Sequence, residues 1–63
     1  MSYGEAKELA QLRQLLRDRL AAHDARGMAP ALERLRQVAG GDHELRAEYE
    51  RWTFRFDLLR VAA

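Results

Sequence analysis

Two breaks limit what this chain can fold into: Gly27 with Pro30, and the pair Gly40-Gly41. Gly and Pro are the strongest local interrupters of regular structure. Here they leave three segments, and each carries apolar residues at helical spacing. There is no repeat and no low-complexity tract.

The first segment opens with Ser2 and Glu5, spaced as a capping box. Leu9, Leu12, Leu16 and Leu20 follow at steps of three and four. At ~100° per residue they fall within an arc of about 80°, which is one helix face. Leu15 sits on its flank. Ala10, Ala21 and Ala22 favour helix by propensity. Gly27 suits the left-handed position that ends a helix, so the spacing predicts a helix over 3–26. In the second segment Met28, Leu32, Leu35 and Ala39 form the stripe, with Val38 beside it. Pro30 suits a first helical position, where its missing N–H would have no partner. Glu33 and Arg36 can pair on the outer side. The predicted helix covers 30–39. One long helix kinked near Pro30 is the alternative, and Gly27 with Pro30 together argue against it.

The third segment starts at Asp42, a good N-cap, with Glu44 adding the negative charge that suits a helix N-terminus. Leu45, Tyr49, Trp52, Phe56, Leu59 and Ala63 then recur at spacings of 4, 3, 4, 3 and 4, a short heptad seam. The predicted helix covers 43–61. Trp52–Leu58 also alternates apolar and polar, as a strand would. A lone strand has no mate elsewhere in the sequence, which favours helix. The expected fold is all-α: a small three-helix bundle, or a helical hairpin with a short bridging helix. Helices 1 and 3 are expected to pack antiparallel, with helix 2 bridging one end.

The third segment has a second apolar face. Ala47, Phe54, Leu58 and Val61 point roughly opposite to the Leu45–Leu59 seam. A helix that is apolar on opposite sides is central to its own core or buried against something else. The sequence leaves both open: helices 1 and 2 could flank helix 3, or the face could meet a partner.

Size gives the partner reading a physical motive. At 63 residues the chain is one domain at most, 1–63. Such a chain buries only ~60% of the surface its unfolded form exposes, and folds this small usually need a staple. With no cysteine there is no disulfide and no thiolate metal site. The expected staple is a partner, either another protein or a second copy.

Charge narrows the classes further. Eleven basic and ten acidic residues give +1, too balanced for a dedicated nucleic-acid or polybasic membrane binder. Read as a helix-turn-helix, the chain would place Glu44, Glu48, Glu50 and Asp57 among the arginines of its reading helix. Carboxylates beside phosphates are costly. Lys7 is the only Lys, so the basic residues are almost all Arg. That bias suits bidentate recognition of carboxylate or phosphate, and it also follows from the codon usage of a GC-rich genome. No apolar run approaches the ~20 residues of a membrane span, and no signal-peptide pattern opens the chain. A cytoplasmic location is the expectation.

Catalytic constellations are absent from the pattern. Ser2, Thr53 and Lys7 are the only nucleophile candidates; Ser2 has a better use as a cap, and Thr53 sits mid-helix among aromatics. His23 and His43 lack the i, i+4 spacing of a helical zinc pair. His23 falls on the leucine face and reads as a core-edge residue. Glu48 and Glu50 lie on different faces and form no acid/base pair. Gly40-Gly41 has no following Lys-Ser/Thr to make a phosphate loop. The expectation is no enzyme, no cofactor and no metal.

Residues 41–60, GDHELRAEYERWTFRFDLLR, resemble the last helix of the cytoplasmic anti-sigma domain in the RseA/MucA family. The matching features are Asp42, Glu44, Leu45, Arg46, Tyr49, Arg51 and Trp52. They form an acidic turn, a Glu-Leu-Arg start and two ring residues three apart with Arg between. The short helix before it, ALERLRQVAG, is similar in kind, so the resemblance covers residues 31–60. It implies a protein that holds an extracytoplasmic-function sigma factor away from RNA polymerase. The family's N-terminal segment is not evident in residues 1–27, and its membrane span and periplasmic part have no counterpart. Type III secretion chaperones and co-chaperones are similar in size and hairpin character, without a shared diagnostic motif. The expected function is regulatory binding of a partner protein by occlusion, with a structural homodimer as an alternative. Phe54, Leu58 and Val61 are the expected anchors, and Arg51 and Arg55 the rim.

Overall fold

The computed structural model describes residues 2–62. Three helices and no strand occupy them: α1 Tyr3–Ala21, α2 Ala25–Ala39 and α3 His43–Ala62. The fold is an all-α three-helix bundle, and Trp52–Leu58 is helical throughout. Ala63, placed at the end of the heptad seam, lies outside the described residues.

Local capping sets the bounds. The Ser2 hydroxyl accepts from the Glu5 N–H at 3.2 Å and opens α1. The first break comes earlier than the sequence suggests, at Ala22–Asp24. His23 takes the left-handed conformation, φ 55°. Its N–H reaches the Leu20 carbonyl at 3.0 Å, and the Asp24 N–H reaches Arg19 at 2.8 Å. These paired bonds are a Schellman closure, and His is among the non-glycine residues enriched in that conformation. Asp24 then caps α2, its Oδ1 accepting from the Gly27 N–H at 2.9 Å. Helix 1 therefore ends at residue 21 rather than 26, and α2 starts at 25 rather than 30. Gly27 lies inside α2 and not at the end of α1. Pro30 sits in the second turn of α2, at an exposed position, and costs one intrahelical bond. His23 is exposed in the turn, not at the core edge.

The second break is where the sequence places it. Gly40 has φ 51° and ψ −122°, a conformation that a side chain disfavours. Asp42 Oδ1 accepts from the Leu45 N–H at 2.9 Å and starts α3.

The core is built around α2. It supplies Met28, Ala31, Leu32, Leu35 and Ala39, five of the ten buried apolar residues. Leu9, Leu12 and Leu16 face it from α1, and Leu45 and Trp52 from α3. Leu20, Val38, Tyr49, Phe56 and Leu59 pack half-buried around these. The stripes read from the sequence are thus the core-facing ones, but their arrangement differs from the expected one. Helix 2 lies along both neighbours and does not bridge an end. Arg34 meets Glu8, and Arg19 meets Asp24 at 3.5 Å, so α2 runs antiparallel to α1. Arg13 meets Glu48, while Leu20 shares a groove with Trp52 and Arg55. Helices 1 and 3 therefore run parallel. The reason is length: once α2 starts at residue 25, its 15 residues, ~22 Å of helix, carry the chain back alongside α1. The longest dimension, 37 Å, exceeds the about 30 Å of α3 alone. The helices are staggered, with the end of α3 reaching past the α1–α2 turn.

Two substitutions test this account. Leu35→Ala, at a fully buried position of α2, should cost about 2–5 kcal/mol. That is a large share of the few kcal/mol available to a chain of this size, and thermal melts followed by circular dichroism should show a broad transition at much lower temperature. Asp24→Ala should cost about 1 kcal/mol through the lost cap, lowering Tm by roughly 4–8 °C.

Candidate functional site

The outer face of α3 follows from helix geometry. Ala47, Phe54 and Val61 are seven apart, with Leu58 alongside, and this row lies opposite Leu45 and Trp52. Since α1 and α2 both lie on the seam side, none of the described residues covers the row. Phe54 is 65% exposed, Leu58 55% and Val61 85%. Ala47 is half-buried. Phe54 sits in a shallow depression with Ala47, Glu50, Arg51 and Arg55. The alternative in which α1 and α2 sandwich α3 does not hold: the three expected anchors are outside the core.

Arg51 and Arg55 are both exposed. They form a ridge, because the same two residues also line the groove between α1 and α3. Arg55 leans over the Trp52 ring at 4.8 Å from its centroid, a cation–π contact that shields the indole from water. It is thus a cover for Trp52 as well as a rim residue. Farther along, Arg60 stacks over Phe56 at 5.4 Å.

The groove itself was not legible in the sequence. Arg13, Arg17 and Leu20 form its α1 wall; Glu48, Arg51, Trp52 and Arg55 form its α3 wall. Both sets have helical spacing, which is the only sequence signal for them. Bringing them together requires knowing that α1 and α3 are parallel. Across the groove, Arg13 Nε and Nη2 each donate to a Glu48 oxygen at 2.7 Å. These bonds hold the Glu48 carboxyl below its ordinary value, against partial burial that pushes it up. The Arg13 charge, the Trp52 indole N–H and the Arg51 charge add smaller contributions in the same downward direction. Glu8 and Glu33 are lowered as well, by hydrogen bonds from Arg34 and Arg36 respectively. The Glu33–Arg36 pair is the one the spacing predicts.

The groups considered for chemistry are dispersed or engaged. Ser2 caps α1, and the Thr53 hydroxyl donates to the Tyr49 carbonyl at 2.9 Å. His23 and His43 flank opposite ends of α2, ~20 Å apart by helix rise. Among the described residues no three His, Asp or Glu side chains are grouped to hold a metal ion. No described helix is long and apolar enough to cross a membrane. Comparisons with protein-family models, with curated proteins and with solved structures gave no match.

The carboxylate shifts fix the sign of an acid dependence. All three are lower in the folded chain than in the unfolded one. Their stabilisation is therefore complete above the ordinary value of about 4.3 and is lost as pH falls through the lower folded values. Glu48 is the most enclosed of these three carboxylates, its side chain 15% exposed, whereas solvent screens the Glu8 and Glu33 pairs. Glu48→Gln should lower Tm at pH 7 and flatten its fall toward pH 3; a wild-type acid limb in that variant would remove Glu48 as its source.

Proposed function

We propose that this protein is a small regulatory protein-binding module that works by binding and not by catalysis. It lays the outer face of α3 on a partner and covers a surface the partner uses elsewhere. The observation that carries this reading is the exposure of Phe54, Leu58 and Val61 on one side of a helix whose opposite side is core. A contiguous exposed apolar row of this kind marks an interaction surface. Burying large apolar side chains is worth roughly 1.5–3 kcal/mol each, before the costs of association. Phe54, Leu58 and Val61 act as anchors, with Arg51 and Arg55 orienting the partner at the edge. The likeness of residues 31–60 to the RseA/MucA anti-sigma domain makes a sigma factor in the cytoplasm one partner to test.

Phe54→Asp and Leu58→Asp separate binding from folding. Both positions lie outside the core, so helicity and Tm should stay near wild type, within about 0.5 kcal/mol. Capture of the partner that the wild type retains, measured by affinity purification and mass spectrometry, should disappear. Loss of helicity would assign the face to the fold, and undiminished capture would move the binding site elsewhere. Light scattering at twice the monomer mass, reverting to monomer in Leu58→Asp, would identify the partner as a second copy.

A further inference from the structure

We propose that the groove between α1 and α3 receives the acidic side of an amphipathic helix from a partner protein, with the partner's carboxylates meeting Arg17, Arg51 and Arg55. The proposal rests on the reading of α3 as a docking helix and names the chemistry of what docks there.

The chain has ten arginines, Lys7 being its one lysine. Arg13, Arg19, Arg34, Arg36 and Arg60 each face a carboxylate. Arg46 donates to the Gly40 carbonyl at 3.0 Å. Of the remaining four, three converge on one place: Arg17, Arg51 and Arg55 all line the α1–α3 groove. None of them meets a carboxylate of the described residues. The one acid in the groove, Glu48, has both oxygens engaged by Arg13. Three guanidinium groups are thus gathered without a salt-bridge partner among the described residues, beside one carboxylate already held by Arg13, on a surface where arginines elsewhere are mostly paired.

Guanidinium forks suit carboxylates, which they bind through two parallel N–H···O bonds. The groove borders the Ala47–Phe54–Leu58 row across the Arg51–Arg55 ridge. A single occupant covering both must be acidic on one side and apolar on the next, which an amphipathic helix achieves at i, i+3 and i+4. Nucleic acid fits less well. Trp52 is only 6% exposed beneath Arg55, so no open ring is offered for base stacking. A phosphate backbone continuing across α3 would also meet Glu50 and Asp57 beyond the apolar row.

Trp52 is the only tryptophan and lies in the groove, so it reports occupancy directly. The probe is an acetylated, dye-labelled helical peptide without tryptophan, with Glu on one face and Leu on the adjoining face. A second peptide carries Lys in place of each Glu. Anisotropy measures binding to the full chain, and Trp52 emission shows whether Arg55 has left the ring. The acidic peptide should bind saturably with a change in Trp52 emission, and the Lys peptide at least ~10-fold more weakly. The pair Arg17→Gln and Arg51→Gln, both at exposed positions, should weaken the acidic peptide by ~10-fold with helicity unchanged. Equal binding of both peptides, abolished by Phe54→Asp, would overturn the groove proposal and leave the apolar face standing. Charge-dependent binding insensitive to Phe54→Asp would uphold the groove and move the site off the apolar face. Absence of binding by the acidic peptide, or tighter binding of a 20-nucleotide single-stranded DNA, would overturn the proposal.

Discussion

Asp24 belongs to two helices at once, and the arrangement of all three follows from that. Its N–H closes α1 on the Arg19 carbonyl, its carbonyl accepts from the Met28 N–H, and its carboxylate caps Gly27. A reversal between helices is thereby completed in Ala22, His23 and Asp24. Helix 2 then begins early enough to return alongside α1, and its phase is fixed so that Met28, Ala31, Leu32, Leu35 and Ala39 turn inward. Gly27 serves the same junction. A Cβ there would run into the Asp24 carboxylate and the Arg19 side chain. Its role is close approach between two helix ends, not termination of one.

With α2 in the middle, α1 and α3 are left to meet along one side only. That meeting is mostly polar. The Arg13–Glu48 fork joins the two helices across a groove whose floor is Trp52 and whose rim is arginine. The cation–π contact of Arg55 completes the cover of an indole that α1 and α2 leave partly uncovered. Helix 3 is therefore asymmetric in chemistry around its circumference: core on one side, a charged groove next to it, and an apolar row opposite the core.

Much of this was readable from spacing. The Leu9–Leu20 stripe, the Met28–Ala39 stripe and the Leu45–Leu59 seam all face the core, because 3.6-residue periodicity depends only on local geometry. The caps at Ser2 and Asp42 and the stop at Gly40 were readable for the same reason. The break at residues 22–24 was not. A glycine was the expected left-handed residue, and histidine took that conformation while Gly27 met a steric need that only the assembled junction creates. Because of that shift α1 and α3 run parallel, where the stripes alone suggest antiparallel packing. The outer row of Phe54, Leu58 and Val61 was visible as a second apolar face. Whether it was covered depended on where α1 and α2 went. Arg13 and Arg17 lie far in sequence from Arg51 and Arg55, on helices whose relative direction no local pattern encodes.

The opposition of the two faces of α3 has a consequence for how such a chain can change over generations. Substitutions at positions 47, 54, 58 and 61 do not touch the residues that hold the bundle together, and those at 45 and 52 do not touch the outer row. The two sets are free to drift under separate selection. A descendant could exchange one partner for another by altering the outer row while inheriting its scaffold intact, so that lineages with the same core would diverge first in what they bind.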